Sequence, residues 1–127
     1  MSKQAFSILH KIREVDEVLS RCPGLQSRVR EVHPEVCFTA WNGGLAMRHR
    51  KSSRAGRAER QLLIDAVWPG ERERLLGEVR RLPCRADDLN DALAALWTAW
   101  RVRAGAAIVF PDSPATDQFG LRMEMLA

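Results

Sequence analysis

Phe6, Leu9, Ile12, Val15 and Leu19 recur at spacings of three and four, which predicts an amphipathic helix over 4–20. Lys11, Arg13, Glu14 and Glu17 fall on its other faces, and Cys22-Pro23-Gly24 ends it. Residues 27–33 alternate, with Val29, Glu31 and His33 on one side and Arg30 and Val32 on the other, the pattern of a short strand. Pro34 and Glu35 suit a helix start; Val36, Cys37, Phe38, Ala40 and Trp41 continue it to Asn42-Gly43-Gly44. A polar, basic connection follows over 45–57. Helices are expected at Ala58–Trp68, stopped by Pro69-Gly70, and at 71–82, stopped by Pro83. Asp87-Asp88 opens a long helix to Arg103, with Leu89, Ala92, Leu93, Leu96, Ala99 and Trp100 as its apolar stripe. Ala106–Phe110 reads as a buried strand and Leu121–Met125 as a last strand. Helices and strands interleaved in this order define an α/β class, rich in helix, over one domain of 127 residues.

Composition is that of an ordinary globular chain: 46% hydrophobic and 28% charged. No apolar run reaches the roughly 18 residues that span a bilayer, and the N-terminus lacks the plan of a signal peptide. Three widely spaced cysteines, Cys22, Cys37 and Cys84, fit reduced thiols in a cytoplasm. Net charge is +4, and 17 of the 20 basic residues are arginine. That excess permits nucleic-acid binding without requiring it. It concentrates in Arg48, Arg50, Lys51, Arg54, Arg57 and Arg60, set against the single acid Glu59. Such a run is either a solvated loop or a phosphate-contacting segment, with Arg101 and Arg103 as a second group. Trp41, Trp68 and Trp100 sit on apolar helical patterns; Trp97 lies off the stripe and is the tryptophan expected at the surface.

Several chemistries lack their signatures. His10, His33 and His49 form no zinc-ligand spacing, and no phosphate-loop or dinucleotide fingerprint occurs. Cys84 lies near Arg80, Arg81 and Arg85 without a histidine beside it, which favours an incidental thiol. The carboxylates are more informative. Asp88 and Asp91 share a helix face, where Asp88 can cap and Asp91, a turn further in, needs a cation or donor. Glu31 is unusual inside a strand, and Glu31-Val32-His33-Pro34-Glu35 gathers two acids and a histidine at a strand-to-helix corner.

Four strings carry a family resemblance: Lys11-Ile12-Arg13-Glu14-Val15-Asp16, Glu31-Val32-His33-Pro34-Glu35-Val36-Cys37-Phe38, Ser53-Arg54-Ala55-Gly56-Arg57-Ala58-Glu59-Arg60 and Asp87-Asp88-Leu89-Asn90-Asp91-Ala92-Leu93-Ala94. Together they resemble domain-of-unknown-function family 429, regarded as predicted nucleases of ribonuclease-H-like fold. The Asp88–Ala94 string is also similar to the last acidic motif of Holliday-junction resolvases. The resemblance implies metal-dependent phosphodiester hydrolysis of structured nucleic acid with Mg2+ or Mn2+, in which Asp91, Asp88 and Glu31 are catalytic metal ligands and Glu35 and His33 lesser candidates. The family's opening strands, with their Asp-Gly…Gly-Gly-Trp and Asp-x-Pro motifs, are not in this sequence, so the resemblance implies the C-terminal part of such a domain and an incomplete acidic set. A non-catalytic nucleic-acid or protein-binding module, or a truncated reading frame, is the alternative. Helices 4–20 and 87–103 have stripes made to cover a sheet, so a homodimer or a partner chain over an exposed sheet edge is also expected.

Overall fold

The computed structural model describes residues 3–79 and 83–127. The end of the helix expected over 71–82, and Arg80 and Arg81 beside Cys84, lie outside them. Six helices come first: α1 (Lys3–Arg21), α2 (Pro23–Gln26), α3 (Pro34–Trp41), α4 (Arg54–Val67), α5 (Glu71–Val79) and α6 (Ala86–Arg103). Two short strands follow, β1 (Val109–Phe110) and β2 (Met125–Leu126). The class is α/β and rich in helix, as the interleaved pattern predicts.

Local chemistry accounts for the helix ends. Pro34 opens α3 with its fixed φ, and Glu35 sits in the favourable first turn. Gly43 and Gly44, at φ 67° and 86°, reverse the chain after α3 in a region other residues avoid. Ser53 caps α4 by accepting the Gly56 N–H at 2.9 Å, so α4 starts at Arg54, four residues before the expected Ala58.

The core lies where α3, α4 and α6 meet. Cys37 and Phe38 of α3, Ile64 of α4, and Leu89, Leu93 and Ala94 of α6 are buried together, with Leu75 and Leu76 of α5 packed against them. α6 is turned away from its expected stripe. Its buried face is Leu89, Asn90, Leu93, Ala94 and Thr98, while Leu96 and Trp100 are exposed. Two contacts set that rotation. Asn90 Oδ1 accepts a hydrogen bond from the Arg72 Nε–H at 2.7 Å, satisfying two buried polar groups at once. Trp97 stacks on Trp41 with ring centroids 4.9 Å apart and an interplanar angle of 4°, and Trp41 stacks in turn on Phe38 at 5.8 Å. Trp97 is therefore not the surface tryptophan. The Arg101 guanidinium covers its outer face at 4.7 Å, and Trp100, 51% exposed, is the open ring.

The strand expectations need larger corrections. Residues 27–33 form no strand: α2 comes first, and only Val32 makes a bridge, parallel to Leu126. The alternation itself survives, because Val29, Glu31 and His33 face water while Arg30 and Val32 turn inward. A single N–H, from Leu126 to the Glu31 carbonyl at 2.9 Å, holds the segment, too few ladder bonds to extend a strand. The strand expected buried at 106–110 shrinks to β1. It pairs only with β2, in register Val109↔Leu126 and Phe110↔Met125, and Ile108 and Phe110 remain exposed. The last strand lies at 125–126 rather than 121–125. Arg122 instead bridges back to Thr116, and the C-terminal residues run between the 31–32 segment and β1.

Stability is expected to depend unequally on Trp41, in the middle of the aromatic ladder, and on Trp100, which meets only the edge contact of Trp68 at 5.1 Å among the described rings. Trp41→Ala removes a ring packed on both faces and should cost about 3 kcal/mol, whereas Trp100→Ala should cost less than about 1 kcal/mol. Urea unfolding of the two variants measures the difference.

Candidate nucleic-acid interface

The basic segment between α3 and the first turn of α4 is a fixed loop. Two consecutive residues of α4 hold it. Glu59 accepts the backbone N–H groups of Arg48 at 2.8 Å and His49 at 3.1 Å. The donated N–H of Arg48, more than that of His49, holds the Glu59 carboxyl below its usual range against a smaller opposing effect of burial. Arg60 lies beneath the loop, 1% exposed. Its Nη1 donates to the carbonyls of Gly56 at 2.8 Å and His49 at 3.2 Å, its Nε to Glu35 Oε1 at 3.1 Å, and its Nη2 to Glu35 Oε2. The guanidinium also lies over the Phe38 ring at 5.6 Å. Ser53 Oγ donates to the Arg50 carbonyl at 2.8 Å and Arg57 Nη1 to the Ser52 carbonyl at 2.5 Å. The loop backbone passes so close to α4 that a Cβ on Gly56 would stand 2.0 Å from the Arg50 oxygen.

The six basic candidates divide on this frame. Arg48, Arg50 and Arg54 are exposed, and no ion pair joins them to a described carboxylate. Arg57 is half-buried with one nitrogen on the Ser52 carbonyl. Lys51 Nζ reaches α6 and pairs with Asp91 Oδ2 at 2.7 Å. The hydrogen bond to Asp91 raises the Lys51 pKa against partial burial, with Glu35 and Asp87 adding attraction. Arg60 corrects a sequence expectation: it is spent inside the protein and shows no face to a phosphate.

Three of the four acids expected to hold metal have separate employments. Glu35 is the bidentate partner of Arg60. Asp88 Oδ2 accepts the Arg85 N–H at 2.8 Å, the reach-back half of a capping box at the start of α6. Glu31 and His33 are exposed on the segment ahead of α3. Asp91 gives one oxygen to Lys51, while its Oδ1 is buried with no hydrogen-bond partner. Of the acids expected to act together, Asp91 alone bonds the Lys51 ammonium, and Glu35, Asp88 and Glu31 do not share that contact. Among the described residues no three His, Cys, Asp or Glu side chains gather in a group that could hold a metal ion. Magnesium takes six oxygens in a near-ideal octahedron. One free carboxylate oxygen beside a lysine does not fit that requirement.

Sequence reasoning missed Glu59 and Arg60 as the loop's framework. The signal was present: one acid in a run of bases is well placed to satisfy backbone N–H groups.

A family model described as protein of unknown function (DUF429) matches residues 1–116. The chain belongs to this family. No curated protein and no solved structure matches it. Among the described residues no helix is long and apolar enough to cross a membrane.

Two substitutions test the loop framework. Gly→Ala inside a helix normally stabilises by about 1 kcal/mol. At Gly56 the clash with the Arg50 carbonyl should reverse the sign, giving a lower urea midpoint in Gly56→Ala. Glu59→Gln should also destabilise at neutral pH. Because the Glu59 pKa lies below its ordinary 4.5 in the folded chain, its contribution is full above that value and is lost as pH falls through the lowered pKa. Wild type and Glu59→Gln should therefore converge in stability on acidification, as unfolding midpoints across that range would show.

Proposed function

We propose that this chain is a nucleic-acid-binding protein that contacts phosphates through the loop 48–53 and the first turn of α4, and does not cleave on its own. The observation that carries the reading is a prearranged loop and helix start whose Arg48, Arg50 and Arg54 are exposed and, among the described residues, free of ion pairs. Elsewhere Arg30 pairs with Glu124 and Arg74 with Glu71 and Glu78, while Arg13, Arg28, Arg85 and Arg103 are exposed at scattered positions; the loop differs in setting three such groups on one braced stretch of backbone. Glu59, the one acid within the basic run, is occupied with backbone N–H groups instead. A cluster of uncompensated guanidinium groups attracts a polyanion, and holding the backbone in advance lowers the ordering cost of binding. The ribonuclease-H-like ancestry implied by the four strings belongs to the same proposal: the motif order supports descent from a nuclease scaffold. Cleavage with Mg2+ or Mn2+ is the activity such a scaffold would retain in a complete acidic set, and Glu35, Asp88 and Asp91 are engaged elsewhere while Glu31 stands apart from them.

Fluorescence anisotropy with labelled duplex and single-stranded oligonucleotides tests the reading. Binding should weaken steeply with salt, and Arg48→Ala/Arg50→Ala/Arg54→Ala should reduce the log–log salt slope by about 3 on duplex while lowering affinity at least about tenfold. The same samples, incubated with Mg2+ or Mn2+, should show no cleavage of branched or hybrid substrates. Salt-insensitive binding would remove the loop from the account. Metal-dependent cleavage that disappears in Asp91→Ala would replace the binding reading with the nuclease one.

A further inference from the structure

Among the described residues little covers the apolar face of α1, of which Leu19 is partly buried and the rest is open. α1 packs chiefly against the four-residue α2. Ile12 is 54% exposed, Val15 52%, and Ile8, Leu9 and Val18 are likewise open. A 19-residue helix without tertiary packing is marginal in water, so this face needs an occupant.

We propose that the occupant is a further copy of this chain, docked through α1 in parallel. Two features of the helix point there. The first is register. Ile8, Ile12, Val15 and Leu19 are spaced four, three and four apart, an unbroken d-a-d-a seam of the heptad kind that meets its own copy. Leu9 and Val18 flank that seam at e and g and widen it. The second is charge. In this register Lys11 occupies g and Asp16, five residues on, occupies e. Those two positions face each other between helices only when the copies run parallel, and each interface then gains a lysine–carboxylate pair. Antiparallel copies would set g against g and e against e, which brings neither pair together. Glu14, Glu17 and Arg21 lie on the opposite side, where Arg21 pairs with Glu17 at 3.4 Å within the helix. The β-branched residues at d, Ile8 and Val15, favour three strands as readily as two. This surface is independent of the nucleic-acid loop and stands whether or not that loop binds.

Sedimentation equilibrium of the full chain tests it. The expected mass is two or three times 14.4 kDa at about 100 µM. Lys11→Glu and Asp16→Lys should each weaken association about tenfold by facing like charges. Mixing the two variants should restore it, because each then supplies the other's missing partner. Ile12→Asp should be monomeric, with the near-ultraviolet signal of the Trp41–Trp97 stack retained to show that the core is folded. A wild-type monomer at that concentration would overturn the proposal. So would association that persists in Ile12→Asp, or a charge-swapped mixture no tighter than its components.

Discussion

The buried guanidinium of Arg60 is the constraint around which the rest is arranged. A charge in the interior is tolerated only when it is paired and its hydrogen bonds are filled. Arg60 meets that demand by drawing on three separate pieces of chain: the Glu35 carboxylate at the start of α3, the Gly56 carbonyl one turn back in α4, and the His49 carbonyl in the loop. The position of α3 on α4 and the path of the loop are therefore fixed by a single side chain. Phe38, on which the guanidinium rests, also begins the aromatic ladder that runs through Trp41 to Trp97. Polar clamp and apolar core share one ring, so the loop is braced directly by the core.

How much could be read from the sequence follows from how far each signal reaches. The long helices were legible because their apolar period and terminating residues are local, and Pro34, Gly43-Gly44 and Asp88 marked ends that the structure keeps. The strands were not, because a strand exists only when a neighbour supplies its ladder. The 27–33 segment keeps its alternation yet has one partner bond. The face of α6 was misjudged for a similar reason. Apolarity alone favoured Leu96 and Trp100, but the helix turns to bury Asn90 against Arg72 and Trp97 against Trp41, two contacts made across long stretches of sequence.

The candidate site shows the same division. That a basic loop leads into a helix was legible, although the helix takes in Arg54 and Arg57 from the expected connection. Which bases stay available was not, since Arg60 and Lys51 are withdrawn by Glu35 and Asp91 from other elements. The acids were read as a shared set because residue type and spacing look alike for a metal ligand, a helix cap and an ion-pair partner. Only the position of the nearest cation or N–H separates these roles. For Asp88 it is a backbone N–H three residues away, and for Asp91 the ammonium of a lysine 40 positions earlier.

α1 carries this reasoning one step further. Its period was legible in the sequence, and the helix duly forms, yet the partner that such a face presupposes is not supplied by α3, α4 or α6, whose buried residues pack on one another. Amphipathicity specifies a helix and a demand for cover; it does not specify who answers that demand. Here the flanking charges narrow the choice. An apolar stripe bordered by lysine on one edge and aspartate on the other is complementary to itself only in parallel. The segment least integrated into the fold is thus the one whose sequence most closely describes its own partner.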